Sequence, residues 1–344
     1  MGRKDKKYVK SLKQQIYEKL TEMLHAGEGT SKKEAIQNGT EREKIFSYST
    51  YETYWKHCKY FASYVKAKHP ECTTLKSAQK YVNEWLQSRV DQGLSAWTVQ
   101  TEAKALGKLF GIAPDDPNYF EPPVRLRENI KRSRGEAVRD SHFSEKNNDE
   151  LVKFCKGTGL RRSGVASVKG KDLMTKEQIE RAIGRLEQIP EEKRTASERK
   201  QLKVCLDTRL FDNPGQKYFI HTREKGGRDR VAPIIGPQTD RIVERFRNTK
   251  PNDKVWSYVN TNADIHGYRG DYATTLYRMY ARKIEDIPFD KVNRGSGRRY
   301  QSDVYTCRKD EKGKKLDKRA MLICSKALGH NRICIVADNY LRGL

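Results

Sequence analysis

His266-Gly267-Tyr268-Arg269-Gly270-Asp271-Tyr272-Ala273-Thr274-Thr275-Leu276-Tyr277 decides how the second half of this chain reads. A histidine stands three residues ahead of an arginine, and the stretch runs into an apolar-periodic helix predicted over about 270–283. Upstream, Thr158-Gly159-Leu160-Arg161-Arg162-Ser163 offers another arginine at a helix start. A guanidinium suits phosphate because its planar fork donates parallel hydrogen bonds and never loses its charge. Between the two segments, Lys217–Thr222 and Arg230–Ile234 read as strands joined through Lys225-Gly226-Gly227-Arg228-Asp229, with Lys225 at the tip of a glycine turn. Downstream, Ala327-Leu328-Gly329-His330-Asn331-Arg332 is followed ten residues after the histidine by Tyr340.

Charge bounds the partner. With 70 Lys+Arg against 45 Asp+Glu the formal charge is +25, which favours a polyanion, and nucleic acid first, because neutralising phosphates releases counterions. The hydrophobic share of 35% implies modest cores in a chain of 344 residues, long enough for two domains. No stretch approaches the ~18 apolar residues of a membrane span, and Met1–Lys10 lacks the apolar region of a signal peptide. A cytoplasmic, nucleoid-associated protein is expected. Cys58, Cys72, Cys155, Cys205, Cys307, Cys324 and Cys334 form an odd set without a C-x-x-C pair, which suits reduced thiols better than disulfides or zinc. Neither a metal nor a cofactor is expected.

The pattern predicts a mostly α fold with a small antiparallel β-sheet (α+β). A basic helical lead-in over 8–24 precedes a helix over 47–67, where Ser49 and Glu52 are placed as a capping box. Stripes at Leu75, Ala78, Val82, Leu86 and at Val99, Ala103, Leu106, Phe110 end at Gly93 and Gly111. Residues 1–112 therefore read as a small helical domain. Tyr51, Trp55, Trp85 and Trp97 fall on or near its periodic faces and read as core. From 113 to 141 prolines and a basic run, Arg125, Arg127, Lys131, Arg132 and Arg134, mark a linker, in which Arg125, Arg127, Lys131 and Arg132 are expected DNA contacts. Residues 142–344 form the second domain.

The quoted segments together resemble the active-site boxes of the tyrosine recombinases, the phage-integrase family, and most of all mobile-element integrases. The resemblance implies a core-binding domain that clamps DNA together with the catalytic domain. It assigns Arg161 and Arg269 as phosphate clamps, with His266 beside the second, and Lys225 as the hairpin lysine that protonates the leaving 5′ oxygen. It makes His330 a donor to the phosphate and Tyr340 the nucleophile that forms a 3′-phosphotyrosyl link. Two arginines fit a transition state that spreads negative charge over the non-bridging oxygens. The implied activity is site-specific recombination of double-stranded DNA by a homo-tetramer through a Holliday junction, for integration or excision of a mobile element, with room for accessory DNA-bending proteins.

The chain departs from that pattern in several places. Gly164 stands where the first box usually has an acidic residue, so something else must orient Arg161. An expansion over about 174–210 reads as a charged helical hairpin with a Thr175/Gln178 capping box. A second spans about 284–318. From Lys291 to Met321 there are 11 basic against four acidic residues, a local surplus of seven, which predicts a phosphate-gripping loop or ribbon in which Arg298, Arg299, Lys314 and Lys315 are DNA contacts. Tyr305-Thr306-Cys307-Arg308 competes for the second arginine but lacks the histidine. Only Leu341–Leu344 follow the nucleophile, so assembly is expected to use another surface. The rival readings are a type IB topoisomerase, which performs the same chemistry on one duplex, and a non-catalytic DNA-binding regulator. An RNA-binding scaffold explains the charge but none of the boxes.

Overall fold

The computed structural model describes residues 10–126, 143–224, 228–290, 301–308, 311–330, 332–341 and 344. The chain divides into two compact units, Met1–Lys131 and Arg132–Leu344. It is mostly helical, with a three-stranded and a two-stranded antiparallel sheet among the described residues.

The first unit contains α1 (Leu12–Gly27), α2 (Lys32–Gln37), α3 (Tyr48–Lys68), α4 (Leu75–Ala78), α5 (Val82–Asp91) and α6 (Ala96–Phe110). Its core gathers Ile16 and Leu20 from α1, Cys58, Phe61 and Val65 from α3, Leu86 from α5 and Leu106 from α6. Full burial of each large aliphatic contributes ~1.5–3 kcal/mol. Tyr51 and Trp85 lie in this core, while Trp55 and Trp97 are half-buried. The capping box expected at Ser49 and Glu52 is not formed. Ser47 is extended, and its hydroxyl accepts from the Thr50 amide at 3.3 Å, so the helix starts earlier and Ser49 is already inside it. Residues 113–120, read from the prolines as linker, pack back on this unit: Ala113 is buried, and Tyr119 and Phe120 lie against the helical core. Their apolar rings outweigh the local proline signal.

The second unit opens with α7 (Asp149–Thr158) and α8 (Arg162–Ser167). Next come β1 (Leu173–Thr175), then α9 (Lys176–Glu187) and α10 (Ala196–Leu206), then β2 (Tyr218–Glu224) and β3 (Arg228–Pro233). The expected capping box on α9 is present, with Thr175 and Gln178 bonding reciprocally. The sheet order is β1-β2-β3, with Ile220 paired to Ala232 across the hairpin. Three-residue β1 carries no alternation long enough to read from sequence. After α11 (Thr239–Arg247), the long helix α12 (Ile265–Tyr280) packs against α7 and against α13 (Lys318–Ala327), burying Tyr272, Ala273 and Leu276. The second expansion carries a short ribbon of β4 (Val304–Thr306) and β5 (Lys315–Asp317), in which Tyr305 pairs with Leu316. The final helix, α14 (Cys334–Asn339), packs on α13 and ends at Tyr340. Among the described residues no helix is long and apolar enough to cross a membrane.

Candidate active site

Three helix termini meet around one hydroxyl. At the end of α7, Gly159 takes a left-handed conformation, φ +58°, and a Cβ there would lie 2.4 Å from the ring of Tyr272. Both constraints demand glycine. The turn passes through buried Leu160 to half-buried Arg161, which stands at the N-cap of α8. Arg162 fixes that turn by donating to the carbonyls of Asn260 at 2.7 Å and Ala263 at 2.5 Å, just before α12.

Asp264 caps α12 by accepting from the Gly267 amide at 2.8 Å, so the helix begins at Ile265 and not near 270. His266 and Arg269 therefore ride on the helix itself, three residues apart on one face. Arg269 is only 1% exposed. Its guanidinium donates to the carbonyl of Gly159, to that of Leu328 at 2.5 Å, and through Nε to the Tyr340 hydroxyl at 3.2 Å. The Leu328 carbonyl is presented by the turn after α13, where Gly329 takes φ +66°.

His330 follows in that turn, its amide bonded to the Ser325 carbonyl at 2.8 Å. The His330 Nε2 lies 3.3 Å from the Tyr340 hydroxyl, and its ring centroid 5.6 Å from the tyrosine ring. The exposed His266 places its ring centroid 5.5 Å from that of Tyr340. Tyr340 itself is buried, and its carbonyl accepts from the Thr274 hydroxyl at 3.4 Å, tying the end of α14 to α12. The hydroxyl thus meets one cation and one imidazole, and a second imidazole lies near the ring that carries it. A second tyrosine nearby is chemically distinct: burial raises the Tyr272 phenol, which stays a neutral donor to the Pro233 carbonyl at 2.8 Å.

No protein-family model matches the chain, and a search of curated proteins finds no match. Among solved structures it is similar to the XerA recombinase, at 13% identity over 94% of this chain and 92% of that one, with a TM-score of 0.24. It is also similar to the Tn1549 transposon integrase in complex with circular intermediate DNA, at 13% identity over 96% of each chain, with a TM-score of 0.33.

Of the residues expected from sequence, His266, Arg269, His330 and Tyr340 converge, and Arg161 lies two positions beyond the carbonyl that Arg269 holds. Lys225, Arg127, Lys131, Arg132, Arg298 and Arg299 lie outside the described residues. Arg308, the competing arginine, is exposed after β4. Arg125 belongs to the first unit, where its guanidinium sits 5.8 Å from the ring centre of Trp97. Lys314 pairs with Glu311 at 2.9 Å, and Lys315 is exposed on β5.

Sequence reasoning passed over Arg230. Buried on β3, it donates to the carbonyls of Ala327 and, at 3.4 Å, Gly159, so it braces the same two turns as Arg269. Strand alternation was the available signal, because Arg230 shares a face with buried Ala232. Arg162 was likewise quoted without a role. Among the described residues no group of three or more His, Cys, Asp or Glu is placed to hold a metal ion.

Proposed function

We propose that this chain is a DNA tyrosine recombinase in which Tyr340 is the nucleophile. The single observation that carries the reading is the Tyr340 hydroxyl held at 3.2 Å by the Arg269 guanidinium and 3.3 Å from the His330 imidazole. A phenol so placed attacks phosphorus, the bond to the 5′ oxygen breaks, and a 3′-phosphotyrosyl link forms. His330 takes the phenolic proton and then presents an N–H to a non-bridging oxygen, while Arg269 and Arg161 stabilise the charge that builds there. Lys225 supplies the proton to the leaving 5′ oxygen, and His266 flanks the attacking ring.

The covalent link conserves the energy of the broken phosphodiester, so a second 5′ hydroxyl can attack it and rejoin the strand without ATP. Pairing two duplexes in a homo-tetramer gives exchange through a Holliday junction, and integration or excision of a mobile element is the process that such exchange serves. Double-stranded DNA on the nucleoid is the partner, with +25 of formal charge to attract it.

The test is a nicked, labelled duplex incubated with wild type and with Tyr340→Phe, followed by a denaturing gel. A covalent adduct is expected in wild type alone, with duplex binding retained in both, because the substitution removes only the nucleophilic oxygen. An adduct that survives Tyr340→Phe overturns the assignment. Binding without any adduct moves the chain to the non-catalytic regulators, and relaxation of one duplex without exchange between two moves it to the type IB topoisomerases.

A further inference from the structure

The expansion over 174–210 reaches the neighbourhood of the active site. Its second helix, α10, packs against β3, which in turn packs against α13, and a cleft of about 450 Å³ lies among them. Helix α10 lines it with Lys200 and Lys203, and Asp207 follows at the helix end. Strand β3 adds Asp229 and Arg230, and α13 adds Lys326. The cleft extends to His330, the imidazole that also approaches the Tyr340 hydroxyl.

Charge in the cleft is uneven. Four permanent cations, Lys200, Lys203, Arg230 and Lys326, face two carboxylates, Asp207 and Asp229, which leaves a surplus of two positive charges before His330 is counted. The carboxylates act as posts. Asp229 holds the Lys200 ammonium at 2.7 Å and Asp207 holds that of Lys326 at 2.9 Å, so a phosphate that reaches either lysine shares it with a carboxylate, and the unshared contact falls to Lys203. Lys203 stands exposed on α10 between Lys200 and Asp207. A lysine ammonium is a compact charge able to meet a phosphodiester oxygen from several directions, which suits contact with a backbone of no fixed sequence.

We infer that this cleft holds a phosphodiester flanking the scissile one, and that Lys203 and Lys200 are backbone contacts contributed by the expansion. The inference rests on Tyr340 being the nucleophile. A strand whose scissile phosphate sits at Tyr340 touches His330, and His330 also lines the cleft, so the neighbouring phosphate meets a ready-made cationic wall. The expansion then adds DNA affinity beside the reacting centre without entering the chemistry.

The experiment uses the full-length chain and the nicked duplex. Lys203→Ala, at an exposed helical position, is expected to fold normally and to form the adduct at saturating protein, while the slope of log affinity against log salt falls by about 0.9. Single methylphosphonates, each neutralising one phosphate near the nick, are then scanned. One position is expected to weaken wild type clearly more than Lys203→Ala, in which only Lys200 still meets that phosphate, whereas every other position weakens both proteins alike. An unchanged slope, or equal losses at all positions, while wild type still forms the adduct, sinks the cleft and leaves the nucleophile standing. No adduct and no binding by wild type sinks both together.

Discussion

Arg269 and Arg282 bracket the same helix and are held in opposite ways. Arg282, two residues beyond the end of α12, donates through Nε and Nη2 to Asp317 at 2.8 and 2.9 Å and through Nη2 to Asp303 at 3.2 Å. Asp317 is fully buried and also accepts from the amides of Arg282 at 3.0 Å and Arg319 at 2.8 Å, capping α13. This is an ion pair whose charges cancel where they stand, and it fastens the end of α12 to the basic ribbon and to the start of α13. Arg269 bonds instead to the carbonyls of Gly159 and Leu328 and to the Tyr340 hydroxyl, all neutral oxygens. Those bonds orient the guanidinium through dipoles. One arginine is held by a carboxylate, and the other is oriented through two carbonyls and the Tyr340 hydroxyl.

The contrast is broken most sharply at Arg269. Arg269→Ala is expected to slow adduct formation by ~10²–10³, as for the loss of one preorganised donor to a developing anion, while affinity for the nicked duplex changes far less. Single-turnover gels beside equilibrium binding separate the two effects. Equal losses in rate and affinity would make Arg269 a binding residue and erase the distinction.

Much of this centre could be read from the sequence because its parts are local. A histidine three residues before an arginine, or a Leu328-Gly329-His330 turn ten residues before Tyr340, is a pattern that survives without knowing the fold. What escaped depends on long-range placement. Arg230 works through carbonyls 97 and 71 residues away in the chain, and only strand pairing brings it to them. Arg162 likewise reaches carbonyls 98 and 101 residues downstream. Asp317 reads in sequence as one acid in a basic run, yet it is the post to which Arg282 is tied. The start of α12 differs from the expected 270 for a local reason: Asp264 is a plain cap, but Gly267 and Gly270 are poor helix formers and weaken the local signal in the first turns.

The Arg282 side of the comparison sharpens on acid. Burial alone would raise the Asp317 carboxyl, but the Arg282 side chain and the Arg282 and Arg319 amides hold it below its ordinary value. A depressed carboxyl contributes stability that is fully present above its unfolded value, ~3.9, and is lost as pH falls through the lowered folded value. Arg282→Ala leaves that buried carboxylate short of its cation. It is expected to cost about 3 kcal/mol at neutral pH, at the lower end for a broken buried pair because Arg282 is 31% exposed. Urea melts measure the loss, and the acid limb of stability in Arg282→Ala should move to higher pH. The adduct rate per folded molecule should stay near wild type. A variant that kept its stability but lost its rate would place Arg282 on the chemical side.

The smallest expected effect concerns the ribbon that Arg282 anchors. Lys314 and Lys315 are neighbours with the same charge and the same proposed partner, but they start from different states. Lys314 is 20% exposed and paired with Glu311, whereas Lys315 is exposed on β5. A phosphate that engages Lys314 must displace or share a carboxylate, so part of what it gains is lost in the exchange, while a phosphate at Lys315 displaces mainly solvent and counterions. Lys315→Ala should therefore flatten the salt dependence of duplex binding by about one unit of slope, Lys314→Ala by clearly less, and neither should alter the adduct rate at saturation. Equal slopes for the two would mean that the Glu311 pair dissolves on the duplex, and that this end of the ribbon, unlike its Asp317 anchor, is rebuilt when DNA binds.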